Sequence, residues 1–590
     1  MCIFAYKNKE ATPYLVDGLK HLEYRYDSAG LCELDSRGNY YLEKAVGKVA
    51  ELENKVNSAS KKLANFNIIA HTRWATHGRV MLKNTHPHKS TQDRFFVVHN
   101  GIIENYIDLK KDLEKKYKFY SDTDTEVISK LIEERWDGDL RSTLNKIVGL
   151  LRTYAIAVLD TKDPDILVAK FGSPLLIGIS EDGFFLSSDS NALNNVAHSL
   201  VSLEDNDMVV VRGINYTVYN EKEVKREIEP IIRKNAILSL DGYTHYMEKE
   251  IFETSKMIGE IFNNRIDYKK NRIISTTLDK LSKYDIKRIE IIASTSYNAG
   301  MISSFWFEEL TGIPTSVYGS SEYKYKRKFI DNKTLYIFIS QSETADSLEC
   351  LKIIKKQGLT FVVNVVGSSI ARLADMIYTY CGPEIVAATK TFMGQLAVLF
   401  MMMIRIGEKE LQRLQSIEIL NGLKSLESYL EKVIEQKDYI RKLARKYSKY
   451  KDFFYLGRNL LYPVAKESLK LKEITYRHSE SYSAGELKHG PLSLVDKNFP
   501  CILLNPKRLY EKNISTLQEI KARNGVVLGI VSEDENKDLY DDVIEIPLSV
   551  EELYPFTVSL ALQLFAYYMA EKLERDIDKP RNLAKSVTVE

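Results

Sequence analysis

Glycine is scarce. The chain has 28 glycines in 590 residues, where average use of about 7% would supply about 41. A large enzyme with many strand-to-helix turns is expected to use glycine freely, because glycine enters left-handed backbone at little steric cost. Cysteine is scarcer still: Cys2, Cys32, Cys350, Cys381 and Cys501, with no CxxC pair. That spacing indicates neither a structural zinc site nor a disulfide scaffold, and a reducing, cytoplasmic setting is expected. An excess of either charge is also absent, with 83 Lys and Arg against 81 Asp and Glu. A nucleic-acid partner is therefore not expected. Nor is a membrane: the longest apolar run, LAVLFMMMI at 396–404, is far below the ~20 residues that span a bilayer and reads as a buried helix. The start, MCIFAYKNKE, lacks a basic segment followed by an apolar one, so no signal peptide is expected.

What is present suits an ordinary soluble protein of several cores, with 44% hydrophobic and 28% charged residues. At roughly 150 residues per domain the length predicts three or four domains. Residues 1–220 read as α+β, with short β-type runs NIIAHTRW, FFVVHNG, YAIAVLD and DILVAKFG. A helical pattern over 125–134 follows cap-type residues 121–124. The charged stretch 221–234 reads as a solvated connector. Farther on, RIEIIAS, LYIFIS, FVVNVV and MIYTY alternate with helical segments, which predicts βαβ units and a parallel sheet. A long helical stretch over 408–447 follows. Then DFFYLGR, CILLN, VVLGIVSE and DDVIEIP repeat the alternation, as a duplicated α/β module would.

Two chemical signals stand out. If Met1 is removed, Cys2 carries a thiol and a free α-amine. An α-amine titrates near pH 8, so nucleophile and base sit on one residue. HLEYRYDSAG, HTRWATHG, HNGIIENY and SDTDTE then follow in order. Together they resemble the glutaminase domain of class II, N-terminal-nucleophile amidotransferases, which implies a four-layer α+β sandwich. By that resemblance Arg73 binds the glutamine carboxylate and Asp124 the ammonium. The Asn100 side chain and the Gly101 N–H receive the oxyanion formed by attack of Cys2. Thr76 and His77 position glutamine, and Trp74 gates the exit of ammonia. His71, His86, His88 and His99 lack metal-ligand spacing.

The second signal is a pair of hydroxyl-rich turns, STSYNAG at 294–300 and SQSETADS at 340–347, each after a strand-like run and before a helix. Such turns hold anions. With VAATK at 386–390 they resemble the sugar isomerase (SIS) domain. The resemblance places Thr295, Ser296, Ser340, Gln341, Ser342, Thr344, Val386 and Ala388 around a sugar phosphate. Glu467, Lys470 and Glu473 are spaced i, i+3, i+6, which on a helix also suits a salt-bridged face. The stretch 467–496, the connector YTHYMEKEIFE and the end DKPRNLAKSVTVE resemble the glutamine:fructose-6-phosphate aminotransferase family, and the likeness spans essentially the whole chain.

That family likeness implies a glutaminase domain at 1–220, a connector at 221–245, SIS domains at 246–430 and 431–580, and a tail at 581–590 that enters the sugar site with Ala584 and Lys585. Fructose 6-phosphate and glutamine are the implied substrates. His489 would open the sugar ring from a neighbouring subunit, so at least a homodimer is implied. Lys585 would form a Schiff base, Glu473 would move a proton, Lys470 would tune it and Glu467 would assist ring opening. No metal or organic cofactor is implied. Two other readings use the same residues: a sugar-phosphate isomerase or deglycase without working glutaminase, and a catalytically dead sugar-phosphate sensor. A purine-type amidotransferase shares only the front half, since the back half lacks a diphosphate-sugar signature.

The glycine shortage is local. Against the family pattern, single glycines are missing at about seven places: after Cys2, between Arg25 and Tyr26, between Arg152 and Thr153, near Ser294, between Ser342 and Glu343, between Ile385 and Val386, and between Glu467 and Ser468. Deleting a residue turns a helix by about 100° or flips the faces of a strand. So many deletions beside retained catalytic residues are hard to reconcile with a selected enzyme. Either the chain is damaged at these turns, or glycines encoded by a reassigned codon are missing from the written sequence; we favour the second. The intact mass of native protein is then expected to exceed 67.8 kDa by a whole number of glycyl residues. A mass equal to the 590-residue chain would leave only the first explanation.

Overall fold

Apolar residues on both faces of a strand demand a covering layer on each side, and that rule builds the amino-terminal half. The structure is a computed structural model. It describes the chain from residue 16 to 583, except 17, 21–26, 36, 59–66, 74, 76, 152, 174, 182, 189, 194, 213–214, 232–239, 264, 268, 271, 341–344, 365–369, 371–372, 380–386, 410–412 and 508. The described residues form two compact units that part near residue 236.

In the first unit a seven-stranded antiparallel sheet runs in the order Lys222–Val224, Asn215–Asn220, Met208–Arg212, Asp163–Phe171, Thr153–Asp160, Phe95–Ile102, His88–Lys89. Its residues alternate between two cores, as the period of two requires. Ala155, Ala157 and Leu159 meet Ile69 and Leu186 of the neighbouring sheet layer. Ile156 and Val158 turn the other way, onto Val127, Ile128 and Leu144 of the covering helices. Those helices are Tyr106–Leu113, Glu126–Arg135 and Leu140–Val148. The neighbouring sheets hold Tyr40–Val46, Ser28–Leu34 and Asn67–Arg73 in one, and Ile228–Pro230, Ser199–Ser202, Leu176–Ile179 and Phe184–Ser187 in the other. Helix Val49–Ser58 packs on their far side. The result is the four-layer α/β/β/α sandwich. The stretch expected to be a solvated connector is largely exposed, yet it pairs at Lys222–Val224 and Ile228–Pro230 as edge strands.

The second unit contains two parallel five-stranded sheets. The first runs Thr315–Gly319, Arg288–Ala293, Thr334–Ile339, Leu359–Asn364, Met376–Thr379. The second runs His478–Ser483, Asp452–Gly457, Cys501–Leu504, Val527–Ser532, Asp542–Ile546. Both have the strand order 2-1-3-4-5, so the duplicated module is real at the level of topology. The stretch expected as one long helix is divided: Arg413–Glu435 and Lys437–Tyr447 break at Gln436, whose side chain donates to the Glu545 carbonyl at 2.8 Å.

One apolar core joins the two sheets. Helix Lys390–Ile406 is buried from Thr391 to Ile404, as its apolar run predicts. Helix Tyr554–Lys572 is buried from Tyr554 to Ala570. The stretch Glu551–Lys572 is long and apolar enough to cross a membrane, and that apolar window lies wholly inside the protein. Phe556 stacks on Trp306 at 6.0 Å and meets Phe400 and Phe262 edge-on at 6.2 and 6.3 Å. Phe556→Ala is expected to cost about 3–5 kcal/mol, read as a lower urea midpoint for the transition of this unit. A loss under about 1 kcal/mol would mean that the ring does not tie the modules together.

Candidate functional site

In the first unit, Arg73 ends strand Asn67–Arg73, and its Nη2 donates to the carbonyls of His77 at 2.5 Å and Gly78 at 3.0 Å. Gly78 has φ near +78°, a turn that selects glycine. Burial pulls the Arg73 guanidinium below its ordinary value, and the charges of Asp27 and Asp124 oppose this. Asp124 lies just ahead of helix Glu126–Arg135, which begins one residue later than the pattern predicts. Its Oδ2 accepts the Ile103 N–H at 2.9 Å and lies 4.0 Å from His77 Nδ1. Asn100 and Gly101 sit on strand Phe95–Ile102, so the loop after Arg73, this strand and the approach to the helix converge.

Among the described residues, neither Nδ2 nor Oδ1 of the buried Asn100 has a hydrogen-bond partner, and Arg73 Nη1 and His77 Nδ1 also lack one. A buried polar group left unpaired costs about 1–3 kcal/mol, and native structures hold few of them. Several in one neighbourhood form a site that can take a carboxylate on Arg73 and a hydrogen-bonding oxygen on Asn100. Behind Asn100, His71 stacks on His86 with ring centroids 4.0 Å apart, and His86 meets His88 edge-on at 4.7 Å. His71 Nε2 lies 3.0 Å from the His99 carbonyl, and His99 Nδ1 lies 3.1 Å from Thr125 Oγ1. Burial pushes His71, His86 and His88 well below the usual imidazole range, so the stack is uncharged. It ties the residue before Asn100 to the residue after Asp124. Cys2, Trp74 and Thr76 lie outside the described residues.

In the second unit, the order 2-1-3-4-5 sets the first and third strands side by side, and the turns after them open a crevice at the carboxyl ends, where α/β sheets bind ligands. In the first module that crevice is flanked by Ser294, Thr295 and Ser296 after Arg288–Ala293 and by Ser340 after Thr334–Ile339. Ser296 and Ser340 are buried, Thr295 is exposed, and Ser294 Oγ bonds to Ser320 Oγ. Helix Tyr297–Thr311 starts at once, so its first N–H groups face the turn. Ala388 precedes helix Lys390–Ile406, and the adjacent Thr389 donates to Glu250 Oε2 at 3.2 Å. Gln341, Ser342, Thr344 and Val386 lie outside the described residues, as do Ala584 and Lys585.

At the matching turns of the second module, side chains hydrogen-bond to one another. Arg458 donates to Asn513 Oδ1 at 2.9 Å and Thr516 Oγ1 at 3.0 Å, Asn513 to Asn505 Oδ1 at 2.9 Å, and Asn505 to the Tyr540 hydroxyl at 2.8 Å. This module contributes a helix instead. Glu467 immediately precedes Ser468–Thr475, on which Lys470 Nζ meets Glu473 Oε2 at 2.5 Å. Asn298, in the first turn of Tyr297–Thr311, donates to the Lys466 carbonyl at 3.3 Å, beside Glu467. The hydroxyl turn and the acidic helix are thereby brought together. Burial pushes the Glu467 carboxyl up to about 7, with Lys470 opposing and Glu473 adding. His489 is exposed at the end of the turn Leu487–His489, before Gly490 with φ +134°.

Residues 57–238 match the glutamine amidotransferase domain, and 284–405 and 446–571 each match the SIS domain. The chain is 41% identical to the glutamine–fructose-6-phosphate aminotransferase [isomerizing] of Aquifex aeolicus over 608 aligned residues, covering all of both chains. It is 40% identical to the enzyme of that name from Fusobacterium nucleatum over 610, again covering both. The chain belongs to the glutamine–fructose-6-phosphate aminotransferase family. Among solved structures, the C-terminal domain of glucosamine-fructose-6-phosphate aminotransferase from Francisella tularensis superposes with a TM-score of 0.55 at 35% identity, covering 58% of this chain and all of that one.

Some residues that shape these aminotransferase sites were not singled out from sequence. Asn298 lies inside the STSYNAG turn, but its partner, the Lys466 carbonyl, is in the other module. The His71–His86 stack was read only as lacking metal spacing, with no sign that it braces the Asn100 strand. Glu467 yields a signed expectation. Its folded pKa stands above its unfolded value, so the cost of burying the charge is absent below about pH 4.5, grows as pH rises and is full above about 7. Glu467→Gln never ionises. It is expected to exceed the parent in stability by up to about 3 kcal/mol above pH 7 and to show no gain below about pH 4.5. Urea midpoints measured across that range check this, and equal offsets at both ends would count against it.

Proposed function

We propose that Cys2 releases ammonia from glutamine, that the SIS half uses it to aminate fructose 6-phosphate, and that the residues described above divide this work as follows. The overall reaction, fructose 6-phosphate plus glutamine to glucosamine 6-phosphate plus glutamate, is that of a transaminase (isomerizing). One observation carries it: full-length similarity to enzymes of that name, with an amidotransferase domain and two SIS domains in a single chain.

Arg73 takes the glutamine carboxylate on its unpaired Nη1, as its planar fork suits. Asp124 takes the ammonium. The Cys2 thiolate attacks the side-chain amide, and Asn100 Nδ2 and the Gly101 N–H receive the oxyanion, with Thr76 and His77 positioning the substrate. Ammonia leaves past Trp74, and water hydrolyses the thioester to glutamate. In the SIS half, Thr295, Ser296, Ser340, Gln341, Ser342 and Thr344 hold the phosphate, and Val386, Ala388 and Ala584 face the sugar. His489, donated by a neighbouring subunit of a homodimer, opens the ring with help from Glu467; its exposure suits such a role. The Lys585 amine adds to the C2 carbonyl and expels water, giving an imine. Ammonia displaces Lys585, and Glu473, held by Lys470, carries a proton from C1 to C2. The domain limits are 1–220, 221–245, 246–430, 431–580 and 581–590, the setting is cytoplasmic, and neither a metal nor an organic cofactor takes part.

Glutamine-dependent formation of glucosamine 6-phosphate tests the reaction, and product from free ammonia alone would return the isomerase reading. Asn100→Ala is expected to lower glutaminase kcat about 10²–10³-fold with little change in KM for glutamine. A loss confined to KM would remove Asn100 from the oxyanion site.

A further inference from the structure

Tyr476 ends helix Ser468–Thr475 in the left-handed conformation, with φ 60° and its N–H on the Lys472 carbonyl. A bulky residue is an outlier there, and glycine usually takes this position. What the cap achieves is a direction: the ring leaves the helix and meets the last described residues of the chain. The Tyr476 hydroxyl accepts the Arg581 backbone N–H at 2.7 Å across 105 residues of sequence. The guanidinium of Arg581 lies 4.3 Å from the ring centroid and that of Arg575 lies 5.2 Å from it. The same segment is held at a second point. Asp578 accepts the N–H groups of Tyr246 at 2.9 Å and Met247 at 3.1 Å, capping helix Tyr246–Asn263 with both oxygens. Ile577 and Pro580 between these anchors are buried.

We propose that Tyr476 is a positioning residue for the carboxyl-terminal tail: its phenol fixes the Arg581 amide and so sets where Lys585, four residues on, can reach. The helix that Tyr476 terminates also carries Lys470 and Glu473, so one residue registers the tail against both. The inference rests on the Schiff-base role proposed for Lys585. In that step the lysine nitrogen bonds to C2 of the open ketose, the carbonyl oxygen leaves as water, and borohydride then traps the imine by delivering hydride to C2.

Two variants separate positioning from mere helix termination. Tyr476→Phe removes only the hydroxyl acceptor. Tyr476→Gly removes the whole anchor yet suits the left-handed cap. Borohydride trapping with fructose 6-phosphate, mapped by peptide mass, is expected to slow about tenfold or more in both, while the melting temperature of Tyr476→Gly holds or rises. Lys585→Arg is the control and is expected to abolish trapping. Wild-type trapping rates in Tyr476→Phe and Tyr476→Gly, with Lys585→Arg inactive, would overturn the role of Tyr476 alone. Trapping that survives Lys585→Arg would overturn the Schiff-base reading and this inference with it.

Discussion

Water does not reach the unpaired polar atoms of Arg73, Asn100 and Glu467, and the surroundings of all three are built under that constraint. A buried polar atom either finds a partner in the protein or stands unsatisfied at a cost that native structures rarely tolerate. Both outcomes appear in this chain, and they divide its crevices by use. Where the partners are internal, as in the Arg458, Asn505, Asn513 and Tyr540 network, the crevice is part of the core. Elsewhere they are missing, as at Asn100 and at Glu467 Oε2.

That division separates the two copies of a duplicated fold. Both modules wind their strands in the same order and so present the same crevice. In the second the matching turns carry a hydrogen-bonded side-chain network, and the helix after Glu467 is joined to the first module through Asn298. In the amidotransferase half the unpaired polar atoms of Arg73, His77 and Asn100 gather in one small loop cluster. Uncharged imidazoles pack behind the Asn100 strand, with His71 on the His99 carbonyl and His99 on Thr125 beside Asp124.

Much of this was legible in the sequence because buried strands leave unambiguous runs. YAIAVLD and LYIFIS are covered on both faces and read as strands at once. Thr315–Gly319 and His478–Ser483 went unread because they are half-exposed edge strands with polar residues. The break at Gln436 has no local signal, and the Glu545 carbonyl that its side chain meets lies more than a hundred residues away. The same holds for Asn298 against Lys466 and for Tyr476 against Arg581. Local pattern names residue types and their order, whereas contacts between distant segments depend on packing that no short window contains. Motif resemblance supplied the roles of Cys2, Trp74, Gln341 and Lys585, since periodicity carries no information about them and they lie outside the described residues.

The helix Tyr554–Lys572 has a consequence in time as well as in space. It is the last helix among the described residues, and through Phe556 it packs on aromatic rings of the first module. During synthesis the first module must therefore wait, with Trp306, Phe400 and Phe262 still uncovered, until Phe556 emerges. The described residues of the amino-terminal sandwich close their own cores. A ribosome stalled late in the message would release a folded glutaminase half attached to a sticky, unfinished partner, a natural substrate for chaperones and proteases.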